Sequence, residues 1–287
     1  MKIVAFFALF LAGALSCWGQ VSVQLELERR QYLAQERVTG VVTIVNRSGR
    51  EITYLSQDGR GMSRSWLDFS MRDTAGRQKP KLINLGFRKA ILPAGRSISR
   101  EVDLGRIFSI TSVGNYAVTA HVTELGADDV TYTSNSAHFT VGGGNTIYRQ
   151  PFGVPQSPAP KREYSVITFN DGKRNSIYAQ VMNTVTGRTI STFRLSNCLT
   201  FHPPQMILDS KNQLHILYLA AAEVFVHVSV NQDGMLTETK YFKRAQGRAP
   251  RFVNYEDQVS VLGATPYDPT DSFAGKPRRR SASERPQ

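Results

Sequence analysis

Cysteine is almost missing from this chain: its 287 residues hold two, Cys17 and Cys198. Cys17 lies in an N-terminal leader, so Cys198 has no partner in the same chain and a disulfide framework is excluded. Long apolar runs are missing as well. The stretch Ile3 to Leu15 is shorter than the ~20 residues that span a bilayer, and no later segment approaches it. Five histidines, His121, His138, His202, His215 and His227, make no recognised metal spacing. No serine stands in a glycine-flanked elbow of the kind that activates a nucleophile. Gly142-Gly143-Gly144 is followed by neither a lysine nor a helix signal, so a phosphate-cradling loop is absent too.

Charge is plentiful but not concentrated. The net +12 divides into +4 over residues 20–142 (16 basic, 12 acidic), +5 over 143–265 (13 and 8), +2 over 266–287 (5 and 3) and Lys2. With no dominant basic arm or stripe, a dedicated nucleic-acid site is not expected. Arg278-Arg279-Arg280 is the densest run; it reads either as a solvated end or as an element that adheres to anionic envelope polymers or lipid headgroups.

At the N-terminus, Lys2, the uncharged run to Leu15 and the small residues before Trp18-Gly19-Gln20 have the layout of a secretory signal peptide over 1–19. Export to the periplasm or the extracellular space, without a transmembrane span, is therefore expected. Ala14-Leu15-Ser16-Cys17 resembles a bacterial lipoprotein cleavage box, although that pattern has Leu where Ala14 stands and a small residue where Leu15 stands. The resemblance implies cleavage after Ser16, a lipid on Cys17 and an outer-membrane lipoprotein. Cleavage after Gly19 or after Ser16 both stay open.

Residues 20–142 read as one β unit. Val21, Val23, Leu25 and Leu27 alternate with polar residues at the two-residue period of a strand. Further strands follow at Val41 to Val45, Ile52 to Leu55, Trp66 to Phe69, Gly114 to Ala120 and Ala137 to Val141. No amphipathic helix intervenes, which argues for an antiparallel sandwich. Tyr32-Leu33-Ala34-Gln35-Glu36 before a strand ending in Asn46, with Gly114-x-Tyr116 near the end, resembles bacterial immunoglobulin-like modules of the macroglobulin or BsuPI-inhibitor type. The resemblance implies an Ig-like fold, Trp66 as core aromatic and Tyr116 as a tyrosine corner. Gly142 to Gly144 and the prolines at 151, 155, 158 and 160 suggest a Gly/Pro linker over 143–163.

Residues 164–265 predict a second, antiparallel β-meander domain. Pro204 to Lys243 reads as four short strands, with polar turns at Asp209-Ser210-Lys211-Asn212 and Asn231-Gln232-Asp233-Gly234. Val224, Val226, Val228 and Val230 share its buried face, leaving Phe225, His227 and Ser229 on the other. Ser165 to Met182 and Pro250 to Leu262 repeat the order strand, polar turn, strand. These repeats resemble β-propeller blades, in number enough for a partial propeller only. Residues 266–287, rich in Pro, Ser and Arg, read as a disordered basic tail.

The fold class expected is thus all-β, and the expected function is a non-catalytic binding or scaffolding protein of the envelope or secretome, without cofactor or metal. Its partner would be a protein or glycan met by loops and open sheet edges, which also permit self-association. Tyr148, Tyr255 and Tyr267 are the aromatic residues expected to contact such a ligand. Two alternatives are a secreted peptidase inhibitor acting through the sandwich, and a glycan-active enzyme using two of Asp209, Glu223, Asp233 and Glu238. Asp128-Asp129 reads as a solvated turn. His215 and His227, on neighbouring strands, are the best case for a ligand pair. Cys198 with His202 four residues away would be the thiol pair, against which stands a plain buried cysteine.

Overall fold

The computed structural model describes residues 21–55, 57–59, 62–124, 129–154, 157–245, 249–255 and 258–269. The leader, Cys17, Asp128 and Arg278 to Arg280 lie outside them. The described residues are all-β, in sheets that are antiparallel but for one parallel pair, and none of these sheets is closed into a barrel.

In chain order the strands are β1 (Val21–Leu27), β2 (Gln31–Leu33), β3 (Thr39–Asn46), β4 (Ile52–Tyr54), β5 (Gln57–Gly59), β6 (Met62–Arg64), β7 (Leu67–Asp73), β8 (Ala90–Leu92) and β9 (Ser97–Asp103). The four-residue helix α1 (Leu104–Ile107) follows, its first turn capped by the Asp103 carboxylate. Then come β10 (Gly114–Glu124), β11 (Val130–Thr133), β12 (Ala137–Gly142), β13 (Asn145–Val154), β14 (Ser157–Asn170), β15 (Asn175–Asn183) and β16 (Thr189–Asn197). The last are β17 (Gln205–Leu208), β18 (Leu214–Ala221), β19 (Val224–Val230), β20 (Leu236–Arg244), β21 (Arg251–Tyr255), β22 (Gln258–Leu262) and β23 (Ala264–Pro266).

The strands divide between two compact units whose borders are not simple cuts in sequence. The first takes the described residues up to Glu28, Thr39–Phe108 and Ala117–His138; the second takes Arg29–Val38, Ser109–Tyr116 and the chain from Phe139 on. In the first unit β3 lies between β1 and β9, and β10 pairs with both β7 and β11. Leu67, Phe69 and Met71 of β7 and Val118, Ala120 and Val122 of β10 alternate inward, as half-buried strands require. Trp66, just before β7, is fully buried, stacks on Tyr54 at 5.1 Å and donates its indole N–H to the Arg88 carbonyl at 3.0 Å.

Asn46 closes the β3 turn from inside this unit. Its Nδ2 donates to the carbonyls of Arg50 (2.8 Å) and Leu92 (2.9 Å), while its Oδ1 accepts from the Ser48 N–H and hydroxyl. The side chain of the Asn46-Arg47-Ser48 sequon is therefore buried and fully engaged.

In the second unit β2 runs parallel to β12, and the Tyr116 hydroxyl donates to the Ser112 carbonyl at 2.7 Å. That bond, four residues back along the chain, has the form of a tyrosine corner. Two four-stranded meanders follow, β13-β14-β15-β16 and β17-β18-β19-β20, with β23 added beside β20.

Here the linker reading is corrected. Most of residues 143–163 form β13 and the first half of β14, which pair from Asn145↔Thr168 onward. Pro151 is tolerated in the sheet because β13 lies at its edge, where a missing N–H costs no internal ladder bond. Gly144 does not act as a flexible joint either, since a Cβ there would meet Ile167 Cγ2 at 2.3 Å and Leu33 Cδ1 at 2.9 Å. The tail likewise begins later than its composition suggests, because Pro266 still pairs with Phe242 and the Tyr267 N–H donates to the Tyr241 carbonyl.

The two meanders meet through one core. Tyr164, Val166, Ile177, Ala179 and Val181 of one sheet pack on Leu214, Ile216, Tyr218, Val226, Val228 and Val230 of the other, with Cys198 among them. The repeat seen in sequence is offset by one strand: Met206 to Leu219 supplies the first and second strands of its sheet, whereas Ser165 to Met182 supplies the second and third. A polar turn between two apolar strands marks any hairpin, and not its place in a sheet.

Candidate functional site

The valine face of β19 is buried as its alternation requires, but the opposite face is buried too. Leu217, Leu219 and Phe225 there form a second, smaller core, covered by Phe252 and Val261 of the β21-β22 hairpin. His215, His227 and Ser229 lie on this second face, away from solvent. Polar side chains survive burial only when bonded to one another, and these are.

The register of β18 against β19 places His215 directly opposite Ser229, with Leu217 opposite His227. His215 Nδ1 lies 3.0 Å from the Ser229 hydroxyl and 3.0 Å from His227 Nε2. Its Nε2 faces Asp209 Oδ2 at 3.3 Å. A carboxylate only accepts, so Nε2 carries the proton and Nδ1 of the neutral ring accepts. Asp209 is held by its own turn, where Oδ1 takes the N–H groups of Lys211 (2.9 Å) and Gln213 (2.7 Å). Asn212, at φ +58°, completes that turn, and the Tyr164 hydroxyl donates to its carbonyl at 2.9 Å.

Above the imidazoles sits Phe252, edge-on to His227 at 5.1 Å and to His215 at 6.4 Å. Gln205 ties the hairpin to β17: its Nε2 donates to the Pro250 carbonyl at 2.9 Å and its Oε1 accepts the Phe252 N–H at 3.1 Å. Burial first, then the neighbouring His215, pulls the His227 pKa down to about 4. Glu238 pulls it weakly the other way, and Lys240 adds to the depression.

The two histidines singled out in the sequence are thus brought together. The sequence did not single out Ser229 and Asp209 as their partners: counting back from the turn after Ala221 would put His215 opposite Val230, and it is the register shift between Leu219 and Ala221 that brings it opposite Ser229. No group of three or more His, Cys, Asp or Glu side chains among the described residues is arranged to hold a metal ion.

The remaining residues scatter. Cys198 belongs to the inter-sheet core, where burial pushes its thiol up to about 11, while His202 packs edge-on against Phe225 of the second core. They do not form a pair. Tyr148 is half-buried against the inter-sheet core, Tyr267 lies under the Lys243 ammonium at 4.1 Å, and Tyr255, at 72% exposure, stands at the end of β21. The three lie in different places and make no common surface patch from one sheet. Of the acids, Asp233 pairs with Arg162 at 2.7 Å and Glu238 with Lys240 at 2.6 Å, while Glu223 sits in the β18-β19 turn at φ +61°.

A second buried polar group centres on the Tyr32 to Glu36 stretch. Glu36 accepts from Arg29 Nη2 at 2.5 Å and from the Leu33 N–H at 2.9 Å; Arg29 Nη1 donates to the Tyr178 hydroxyl at 3.1 Å and its guanidinium lies over the Tyr32 ring. Burial opposes the Arg29 charge, but its bond to Glu36 holds the guanidinium above its ordinary range. This cluster pins a loop to β15 of the same unit.

No family model matches the chain, and no curated protein matches it. Among solved structures it is similar to a β-glucosidase, EmGH1, from Erythrobacter marinus, at 16% identity and a TM-score of 0.27, over 42% of this chain and 15% of that one. It is also similar to Spo0M, a sporulation control protein from Bacillus subtilis, at 13% identity and a TM-score of 0.28, over 62% of this chain and 89% of that one. The chain thus spans a small part of the glucosidase's length, and likeness at this level carries no argument about function.

Proposed function

We propose that this chain is an exported, non-catalytic binding or scaffolding protein that holds a protein or glycan partner at its sheet edges and loops. The observation that carries the reading is the unclosed β13-β16 sheet. Its outer strand β16 has no strand paired along its far side among the described residues, and it shows Ile190 to solvent. An open edge of nine residues is a ready template for an added strand, where main-chain bonds give affinity and alternate side chains give selectivity.

The finer architecture belongs to the same proposal. The β1-β3-β9 and β7-β10-β11 strands and the buried Trp66 support an immunoglobulin-like module. The two four-stranded meanders, with β21-β22 as part of a third, support a partial propeller. The leader layout supports export.

The test is selection of extended peptides on the purified mature protein, followed by amide exchange mapping of each complex. Added protection along Thr189–Asn197 is the expected result. Peptides that bind but leave β16 exchanging as before would sink the edge reading.

A further inference from the structure

We propose that His215 and His227 form an acid-operated latch: when the pair takes up a proton, the β21-β22 hairpin releases and uncovers Leu217, Leu219 and Phe225 on the second face of the β17-β20 sheet. The geometry carries this. Two imidazole nitrogens lie 3.0 Å apart in a site that leaves His227 only 3% exposed. In the closed form one shared hydrogen bond joins neutral rings, and a proton added there has no water to receive its charge.

The surroundings offer little relief. From β18 the only ionisable neighbour of His227 is His215 itself, whose far nitrogen is already engaged with Asp209. From β20, Lys240 stands opposite His227 and Glu238 opposite Ser229, and their charges oppose each other across a 2.6 Å ion pair. From the hairpin, β21 presents Phe252, with Arg251 exposed, and β22 presents Val261 and carries no charged residue. β17 contributes Gln205 and no charge. The added charge is therefore buried against an aromatic edge, with the Asp209 carboxylate bonded to His215 and not to His227.

The hairpin is the cover that gives way first. It is a sheet of two strands only, a form that is marginal without its packing partner. The other face of the same sheet is sealed by the large inter-sheet core. Opening the hairpin hydrates both rings at the cost of a small apolar contact and the two Gln205 bonds. The face it uncovers is apolar, carrying Leu217, Leu219 and Phe225.

Hydrogen exchange of the full mature chain between pH 7.5 and 4.5, corrected for intrinsic exchange, tests the latch. Below about pH 6, protection of residues 251–262 is expected to fall about tenfold per pH unit while one proton is linked to opening, with Tyr164 to Val181 still protected. His227→Gln, which keeps a donor toward His215, and His227→Leu, which matches its facing Leu217, are expected to remove most of that dependence. The idea is overturned by wild-type protection that falls equally in the hairpin and in β14-β15, by a hairpin that stays protected to pH 4.5, or by variants that keep the full pH dependence.

Discussion

At the scale of single residues, His227 gives the second unit a dependence on pH. Unfolded, its imidazole takes a proton near the ordinary 6.5; folded, it resists until about 4. Between those values the unfolded chain binds more protons, so stability falls as the pH drops through that window, by about 3 kcal/mol if the whole shift is expressed. Urea unfolding at pH 7.5 and at pH 5 should show a smaller loss for His227→Leu than for the natural chain. Gly144 is a different kind of lever. The methyl group of Gly144→Ala would strike Ile167, Leu33 and the Thr168 carbonyl, and overpacking of this sort costs about 1–3 kcal/mol. A melting temperature unchanged in that variant would mean that the β13-β14 start can shift aside. Removing the Tyr116 hydroxyl as Tyr116→Phe deletes one bond to the Ser112 carbonyl, and about 1 kcal/mol of stability should go with it in the same unfolding assay.

At the scale of elements, Gln205 is the joint between the hairpin and β17. Gln205→Ala leaves the Pro250 carbonyl and the Phe252 N–H without these partners, which costs about 1–3 kcal/mol where such groups stay buried. Faster amide exchange in β21 at neutral pH, with β14-β15 unaltered, is the expected outcome.

Elements of this kind also show what could be read in advance. The four strands of β17-β20 were legible because polar turns punctuate the apolar runs and because the valines of β19 recur at period two. β13 was not, because the three glycines before it and the prolines from 151 to 160 have the composition of a linker, and its place in a sheet depends on a partner that lies up to 23 residues further on. The pairing of His215 with His227 was visible as two neighbouring strands. Their burial was not, because it comes from β21-β22, whose approach to that face no local pattern announces. The Arg29–Glu36 pair was equally hidden: the two lie seven residues apart, on either side of a three-residue strand, and Arg29 also bonds Tyr178, which lies far along the chain on β15.

At the scale of the whole molecule, the two compact units are interleaved in sequence, so residues 20–142 do not correspond to one of them. A truncation after Gly142 would leave Arg29–Val38, Ser109–Tyr116 and Phe139–Gly142 without the rest of the unit they belong to, and the fragment should show weaker cooperativity in thermal unfolding than the full chain. The proposed export is tested at this scale as well: intact-mass analysis of the mature protein should find a chain starting at Gln20, whereas a lipid-modified Cys17 at the N-terminus would place it on a membrane.

The engaged amide of Asn46 carries a further consequence for anyone producing this protein in yeast or mammalian cells. Oligosaccharyltransferase needs that nitrogen free, yet once β3 and its turn have closed, two carbonyls already hold it. Sugar could be attached only before closure, and a sugar there would keep the turn from forming. The glycosylated fraction of the product would then be a direct count of molecules that were modified before they matured.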